Sequence, residues 1–176
     1  MSITSLASLV LIGSAAAAAR GPNCAQTVSS VDLKRYMGRW YVVAAIPNFL
    51  GRNNLASSDT YTLNSNGRIE IEFTFRKGSF SAPEKTRHGR AVVSDTQTSA
   101  EWKVRFNWPF TFPYLVLDPD SEYQWAVVGT PNRKFLRVLA RKPQIPDDLY
   151  ARILGRLAYK DFNVAKLKKV PQPSTE

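Results

Sequence analysis

Hydrophobic and polar residues alternate one by one along several short stretches of this chain. The segment IEIEFTFR, residues 69–76, is the clearest case, and WKVRF, residues 102–106, repeats its pattern. Because successive side chains of a strand point to opposite faces, this alternation predicts strands with one buried and one solvated face. The large side chains on the predicted buried faces are Ile69, Ile71, Phe73, Phe75, Trp102, Val104 and Phe106.

The strand-like stretches recur between turn signals such as NSNG, DPDS and TPN, and most links between them are short. This spacing predicts an up-and-down meander. Eight antiparallel strands of this kind lose their exposed edges by closing into a barrel whose interior can hold one small ligand. The predicted strands are Arg39 to Ile46, Ser58 to Asn64, Arg68 to Lys77, Lys85 to Ser94, Ala100 to Asn107, Tyr114 to Leu117, Tyr123 to Gly129 and Phe135 to Arg141.

After the last predicted strand, the period of the pattern becomes that of a helix. The segment DDLYARILGRLAYKDF begins at Asp147, which fits the N-cap position and is followed by a second acid. The sequence therefore predicts an all-β fold, an eight-stranded antiparallel up-and-down β-barrel with one C-terminal α-helix packed outside. The apolar face of that helix consists of Leu149, Ile153, Leu157 and Ala158.

The N-terminus predicts export. The first nineteen residues carry no charged side chain, and the apolar run from Leu6 to Ala19 is shorter than a bilayer span but typical of a secretory signal peptide. An alanine-rich helical arm that stays attached is the alternative. We divide the chain into a signal peptide at 1–19, a flexible N-terminal segment at 20–30, one domain at 31–170 and a disordered tail at 171–176.

Cys24 is the only cysteine, so the chain cannot form an internal disulfide. Its position shortly after the predicted signal peptide makes it a candidate for lipid attachment, although the preceding residues GPN differ from the small, aliphatic residues of a lipoprotein signal. A free thiol and a disulfide to another chain are the alternatives.

The formal net charge is +10 and the pI is near 9.9, which predicts an anionic partner. Binding of single-stranded nucleic acid requires exposed aromatic side chains between the basic ones. The aromatic residues here alternate into the predicted interior instead. We therefore expect an anionic membrane surface, and no nucleic acid, as the electrostatic partner.

Three sequence elements resemble the signatures of one known family. VDLKRYMGRWY, with Gly38 and Trp40, resembles the Gly-x-Trp signature that begins the first strand of the lipocalins. DPDSEYQWAVVG resembles their acidic turn before an aromatic strand, and FLRVLAR places Arg141 where they have an arginine at the end of the last strand. The resemblance runs from about Val31 to Val170. Within the family, the chain is most similar to the bacterial lipocalins of the outer-membrane lipoprotein type.

The resemblance implies structural roles for the signature residues. Trp40 would close the narrow base of the barrel with its indole, and Arg141 would lie across that ring in a cation–π contact. Gly38 would leave room for the chain to enter beneath the barrel. The resemblance also favours a ligand cavity over a solid barrel interior.

Residues two apart on a strand share a face, so one anchored residue orients its whole strand. With Trp40 inward, the first strand is predicted to point Val42, Ala44 and Ile46 into the barrel and Ala45 out of it. In the seventh strand the same rule groups the aromatic residues on one face, which we favour as the inner one.

With Arg141 inward, the last strand points Arg137 into the barrel. A guanidinium keeps its charge and needs an anionic partner in an apolar cavity. We expect Arg137 to meet a fatty-acid carboxylate or a lysophospholipid phosphate, and the alternative is that it reaches water at the mouth. The predicted ligand-binding residues are Arg137, Tyr123, Trp125, Ile71, Phe73, Phe75, Trp102, Val104, Phe106 and Leu139.

Little in the sequence favours catalysis, since His88 is the only histidine and no hydrolase, metalloprotease or phosphate-loop motif occurs. We expect no enzyme activity, no cofactor and no metal. The predicted function is that of an exported carrier for a fatty acid or lysophospholipid, monomeric or weakly dimeric, in the periplasm, at the outer membrane or secreted. It would serve membrane lipid transport or maintenance. A binder of a pigment or other hydrophobic metabolite and a lipid-modifying enzyme are the alternatives.

Overall fold

A computed structural model describes residues 25–47, 51–107 and 109–174 of the chain. A short helix precedes the first strand, and a longer helix follows the eighth. In chain order, the elements within these residues are α1 (Leu33–Tyr36), β1 (Gly38–Ala45), β2 (Asn54–Leu63), β3 (Arg68–Lys77), β4 (Lys85–Val93), β5 (Glu101–Arg105), β6 (Phe112–Pro119), β7 (Trp125–Gly129), β8 (Leu136–Ala140), α2 (Asp147–Tyr159), a 3-10 turn (Val164–Lys166) and β9 (Lys168–Lys169).

The sheet closes into a barrel. Strands β2 to β8 pair in chain order, and β1 pairs antiparallel with both β8 and β2. The predicted eight-stranded antiparallel barrel with one external C-terminal helix is therefore confirmed. The connections that follow β1, β3, β5 and β7 lie at one end of the barrel, which we name the mouth. Helix α1 and the connections that follow β2, β4 and β6 lie at the other end, the base.

A β-bulge in β1 changes which of its residues face the interior. The pairing of β1 with β8 shifts register between Val42 and Ala44, so the alternation breaks there. Ala45 packs with the inner core, whereas Ala44 and Ile46 pack with the apolar cluster outside the wall. The predicted inward orientation of Ala44 and Ile46 and the predicted outward orientation of Ala45 are therefore wrong.

Strand β7 has the opposite orientation to the one predicted. Ala126 and Val128 face the interior, and Trp125 and Val127 face outward. The strand begins at Trp125 because Tyr123 has a left-handed backbone, with φ of 54°, and belongs to the preceding turn. That turn breaks the alternation on which the prediction depended.

Helix α2 covers one side of the barrel wall. Its Ile153 and Leu157 are fully buried in the outer apolar cluster, together with Leu136 and Val138 of β8. The N-cap position is held by Pro146 and Asp147 is the first helical residue, so the predicted N-cap was one residue too late.

A charged contact fixes the orientation of α2 on the wall. Arg156 donates from Nε and Nη2 to the two carboxylate oxygens of the buried Asp118, at 2.7 and 2.6 Å. This bidentate pair connects the last turns of the helix to β6.

The C-terminal segment forms a short ninth strand that the sequence did not predict. β9 pairs with the mouth end of β1, at Ala44 and Ala45. Beyond it, the Pro171 carbonyl accepts a hydrogen bond from the Ala56 N–H at 2.8 Å, and the Gln172 amide donates to the Val42 carbonyl at 2.8 Å. Residues 171 and 172 thus hydrogen-bond to the barrel, and disorder of the tail at 171–176 stays a prediction.

The described part of the predicted flexible N-terminal segment lies against the barrel. The Ala25 N–H donates to the Pro131 carbonyl at 3.3 Å, and the Val28 N–H donates to the Val116 carbonyl at 3.2 Å. Flexibility of 20–30 stays a prediction. The predicted signal peptide and Cys24 lie outside the described residues.

The base of the barrel has the arrangement that the resemblance implied. The Trp40 ring is fully buried, and the Arg141 guanidinium lies 3.8 Å from its centroid. Gly38 has a φ of 94°, and a Cβ at that position would lie 3.3 Å from Arg141 Nη1, which favours glycine here. The base is closed by stacked, hydrogen-bonded side chains.

Candidate functional site

A cavity of about 620 Å³ opens at the mouth of the barrel, a volume within the usual range of small-molecule sites. Its charged lining residues are Arg87, Lys134 and Arg137, with no acid among the described residues that line it. The other lining residues are small or polar and uncharged, apart from five phenylalanines. These are Phe73, Phe106, Phe110, Phe112 and Phe135.

The phenylalanine wall is carried by two strands and by the connections at the mouth. Phe73 faces inward from β3, and Phe106 and Phe112 flank the connection between β5 and β6. The rings of Phe106 and Phe112 are stacked, with centroids 6.3 Å apart. Phe110 lies at the rim and leaves 76% of its surface exposed. The upper barrel therefore presents an apolar wall to any molecule that enters from the mouth.

Arg137 already has an anionic partner within the chain. Its Nη1 atom donates to Asp59 Oδ2 at 2.8 Å, and the Asp59 side chain is only 2% exposed. The guanidinium also lies over the rings of Phe73, at 4.6 Å, and Phe135, at 5.0 Å. The predicted ligand anion at Arg137 is therefore replaced in this structure by a carboxylate of β2.

Burial dominates the electrostatics of this ion pair. It raises the pKa of the Asp59 carboxyl above its ordinary value, while Arg137 and a hydrogen bond from Tyr61 lower it. The pair lies at the boundary between the apolar cavity and the buried layer below.

Below the ion pair, hydrogen-bonded tyrosines fill the barrel. The Tyr114 hydroxyl lies 2.7 Å from that of Tyr61 and 3.3 Å from that of Tyr36. Burial raises the pKa of all three hydroxyls well above the ordinary value, so they stay neutral. The Trp102 ring stacks on Tyr114 at 5.1 Å and is fully buried. The interior is thus filled by these side chains toward the base and open toward the mouth.

The predicted ligand-binding residues divide according to this boundary. Phe73, Phe106 and Arg137 line the cavity. The Tyr123 hydroxyl lies near the base, where it accepts a hydrogen bond from the Asp32 N–H at 2.8 Å. Those that pack in the buried inner core without lining the cavity are Ile71, Phe75, Trp102, Val104 and Leu139.

The predicted inward position of Trp125 is wrong. Its ring packs with the outer apolar cluster, where the Arg156 guanidinium lies 5.8 Å from the centroid. Trp125 therefore contacts α2 and cannot contact a molecule inside the barrel.

Sequence reasoning missed several residues that shape the cavity, and Phe110, Lys134 and Phe135 are among them. Phe112 was left out because the sixth strand was predicted to begin at Tyr114, two residues too late. Asp59 shares a face with the buried Tyr61, and this alternation was the available signal for an inward acid. Arg87 pairs in register with the inward Phe73 and therefore faces the interior as well.

No metal site or membrane span stands out in the described part of the chain. Residues 25–47, 51–107 and 109–174 contain no group of three His, Cys, Asp or Glu side chains placed to hold a metal ion. Within the same residues, every helix is too short or too polar to cross a bilayer.

Comparison with known proteins agrees with this architecture. A family model described as a lipocalin-like domain matches residues 31–172. The chain is 32% identical over 160 residues to temperature-induced lipocalin-1 of Arabidopsis thaliana, with 85% of this chain and 84% of that protein covered. It is 31% identical over 157 residues to outer membrane lipoprotein Blc of Escherichia coli, with 88% and 86% covered.

Among solved structures, insecticyanin from the tobacco hornworm Manduca sexta superposes with a TM-score of 0.67. The two chains are 12% identical, and the match covers 85% of this chain and 84% of that one. Proteins of this fold are generally binding or carrier proteins. The family match, the identity to these relatives and the closed barrel together show that the chain belongs to the lipocalin family, whose members bind small hydrophobic ligands.

Proposed function

We propose that this protein is an exported carrier that holds a fatty acid or a lysophospholipid by its acyl chain in the mouth cavity. The observation that carries the proposal is the cavity of about 620 Å³ walled by five phenylalanines and open at one end. An acyl chain gains about 0.8 kcal/mol for each methylene that it buries. An open end lets a polar head remain in water while the chain is enclosed.

The fixed polar groups of the site support binding rather than catalysis. Arg137 is neutralised by Asp59, and the tyrosines below it stay protonated. The Asp59 carboxylate is held by Arg137 and the tyrosine hydroxyls are buried and protonated, so neither arrangement supplies an activated nucleophile. A carrier without enzyme activity is therefore the function that the site supports best.

Export and membrane lipid transport or maintenance complete the proposal. The relative from Escherichia coli is named an outer membrane lipoprotein, and the first nineteen residues of this chain have the pattern of a signal peptide. The net charge of +10 favours association with an anionic membrane surface. Lipid attachment at Cys24 and a monomeric or weakly dimeric state stay predictions.

Native mass spectrometry of the gently purified protein, before and after organic extraction, tests this function. We expect an added mass that disappears on extraction and is identified as an acyl lipid. A coloured or non-acyl extract would replace the lipid by another hydrophobic metabolite. Absence of added mass, together with unchanged tryptophan fluorescence during titration with dodecanoate, would contradict the carrier function.

A further inference from the structure

We propose that Arg87 and Lys134 form an anion site at the rim of the mouth cavity, which binds the carboxylate or phosphate head of an amphiphile whose chain lies in the cavity. This inference rests on the proposed function, because the chain must occupy the cavity for its head to reach the rim. It assigns head-group recognition to residues other than Arg137.

Arg137 is poorly placed to receive a second anion. Its charge is matched by Asp59 at 2.8 Å, and the pair is largely withdrawn from water, with 18% of the Arg137 side chain exposed. Another anion there would be repelled by the Asp59 carboxylate in an environment where charges are weakly screened. A head group is therefore expected to avoid the floor of the cavity and bind higher.

Arg87 and Lys134 are cations of the same cavity without such a partner. Arg87 faces inward from β4, and its guanidinium lies 5.5 Å from the centroid of Phe75. Lys134 lies in the connection between β7 and β8, two residues before β8 begins. Within residues 25–47, 51–107 and 109–174, neither side chain forms an ion pair with a carboxylate.

The order of strands places these two cations across the mouth from each other. Three strands separate β4 from β8 in one direction around the barrel, and three separate them in the other. Arg87 on β4 and Lys134 beside β8 therefore approach the opening from opposite sides, above the phenylalanine wall. Because no described acid lines the cavity, an anion entering between them meets only positive charge.

The test compares ligands that share a twelve-carbon chain and differ only in the head: dodecanoate, dodecyl phosphate and dodecanol. Each is titrated below its aggregation limit into the full mature chain, and affinity is measured by tryptophan fluorescence and calorimetry. The variant is R87Q/K134Q. The matched control is K103Q/R105Q, which removes the same charge from two exposed side chains on the outer face of β5.

For R87Q/K134Q we expect roughly tenfold weaker binding of dodecanoate, dodecyl phosphate or both, and less than twofold change for dodecanol. Loss for one anion alone identifies its head as the preferred chemistry. Equal loss for all three ligands, an equal loss in the control, or full affinity for both anions would overturn the anion site while leaving the carrier function in place. A wild-type protein that binds none of the three would overturn the carrier function and the anion site with it.

Discussion

The base and the mouth of the barrel use arginine in opposite ways. At the base, Arg141 stacks on Trp40 and donates to the carbonyl oxygens of Arg35, Met37 and Arg39 at 2.7, 2.9 and 2.9 Å. Its donors are used by the backbone of the chain that enters beneath the barrel. This arginine therefore stabilises the fold and has little capacity left for a ligand.

At the mouth, the arginine side chains have fewer partners within the protein the closer they lie to solvent. Arg137 pairs with the single carboxylate of Asp59, whereas the Arg87 guanidinium lies 5.5 Å from the centroid of Phe75 and forms no ion pair among the described residues. This difference between the base and the mouth shows that the inward orientation of an arginine does not by itself identify it as a ligand-binding residue. What distinguishes the residues is the number of donors that the protein itself has already satisfied.

A substitution that disrupts the packing at the base of the barrel should have the largest effect on stability. Trp40→Ala removes a fully buried indole, its stacking on Arg141 and its hydrogen bond to the Tyr36 carbonyl at 2.7 Å. We expect the free energy of unfolding, measured in urea, to fall by about 4 kcal/mol. The control is Trp125→Ala on the outer wall, which should cost markedly less. Equal costs would contradict a dominant role for the base.

Breaking the ion pair at the cavity floor should have the next largest effect. Arg137→Met leaves the buried Asp59 without its cation and should lower the free energy of unfolding by about 3 kcal/mol. The double variant Arg137→Met with Asp59→Asn should recover much of this loss, because no buried charge then remains. Arg87→Met is the matched control at the rim, and an equal cost there would contradict the comparison.

The pH dependence of stability tests the ion pair at the cavity floor in a second way. Burial raises the folded pKa of Asp59 above its ordinary value near 3.8, so between these two pKa values the native state holds a proton that the unfolded chain releases. The contribution of Asp59 to the free energy of unfolding is therefore fully present below its ordinary pKa, and it is lost as the pH rises through the pKa of the folded state. Its slope cannot exceed about 1.4 kcal/mol per pH unit for one proton.

The measurement is urea unfolding of wild type and Asp59→Asn across this pH range, with the variant subtracted to remove the other carboxyls. The free energy of unfolding of the wild type minus that of Asp59→Asn should fall as the pH rises. A difference that rises with pH would show that Arg137 outweighs burial and lowers the pKa of Asp59.

The sequence was informative wherever strand alternation was unbroken. In β3, β5 and β8 the residues predicted to face inward do face inward, and those predicted to face outward do face outward. Phe73 of β3 and Leu139 of β8 are two of the inner ones. In β1 and β7, one bulge at Val42 and one left-handed residue at Tyr123 reversed the orientation beyond them. Neither feature has a local sequence signal as strong as the alternation that it interrupts.

The ion pair at the floor of the cavity could not be predicted from the sequence, for a different reason. Asp59 and Arg137 are 78 residues apart, and only the closed register of the barrel brings the carboxylate to the guanidinium. An inward arginine was predictable from its strand, but its partner was not. Barrel closure fixes which charges meet, whereas a strand pattern fixes only which side of the wall they occupy.

The smallest expected effect concerns a glycine in the wall of the cavity. Gly89 on β4 lies against Phe106, so that a Cβ there would be 2.8 Å from Phe106 Cδ1. Gly89→Ala should push the ring out of its present place and lower the free energy of unfolding by about 1 kcal/mol. Ligand affinity in the dodecanoate titration should weaken by a few-fold, roughly 1 kcal/mol.

The control is the same substitution where space is open. Gly155→Ala lies in α2, where the new Cβ would point into open space, so helix propensity should raise the free energy of unfolding by about 0.8 kcal/mol. Opposite signs for the two alanines would show that Phe106 occupies the space that Gly89 leaves. If both variants were stabilised and bound dodecanoate equally well, the ring would have room to move and Gly89 would not set the width of the mouth.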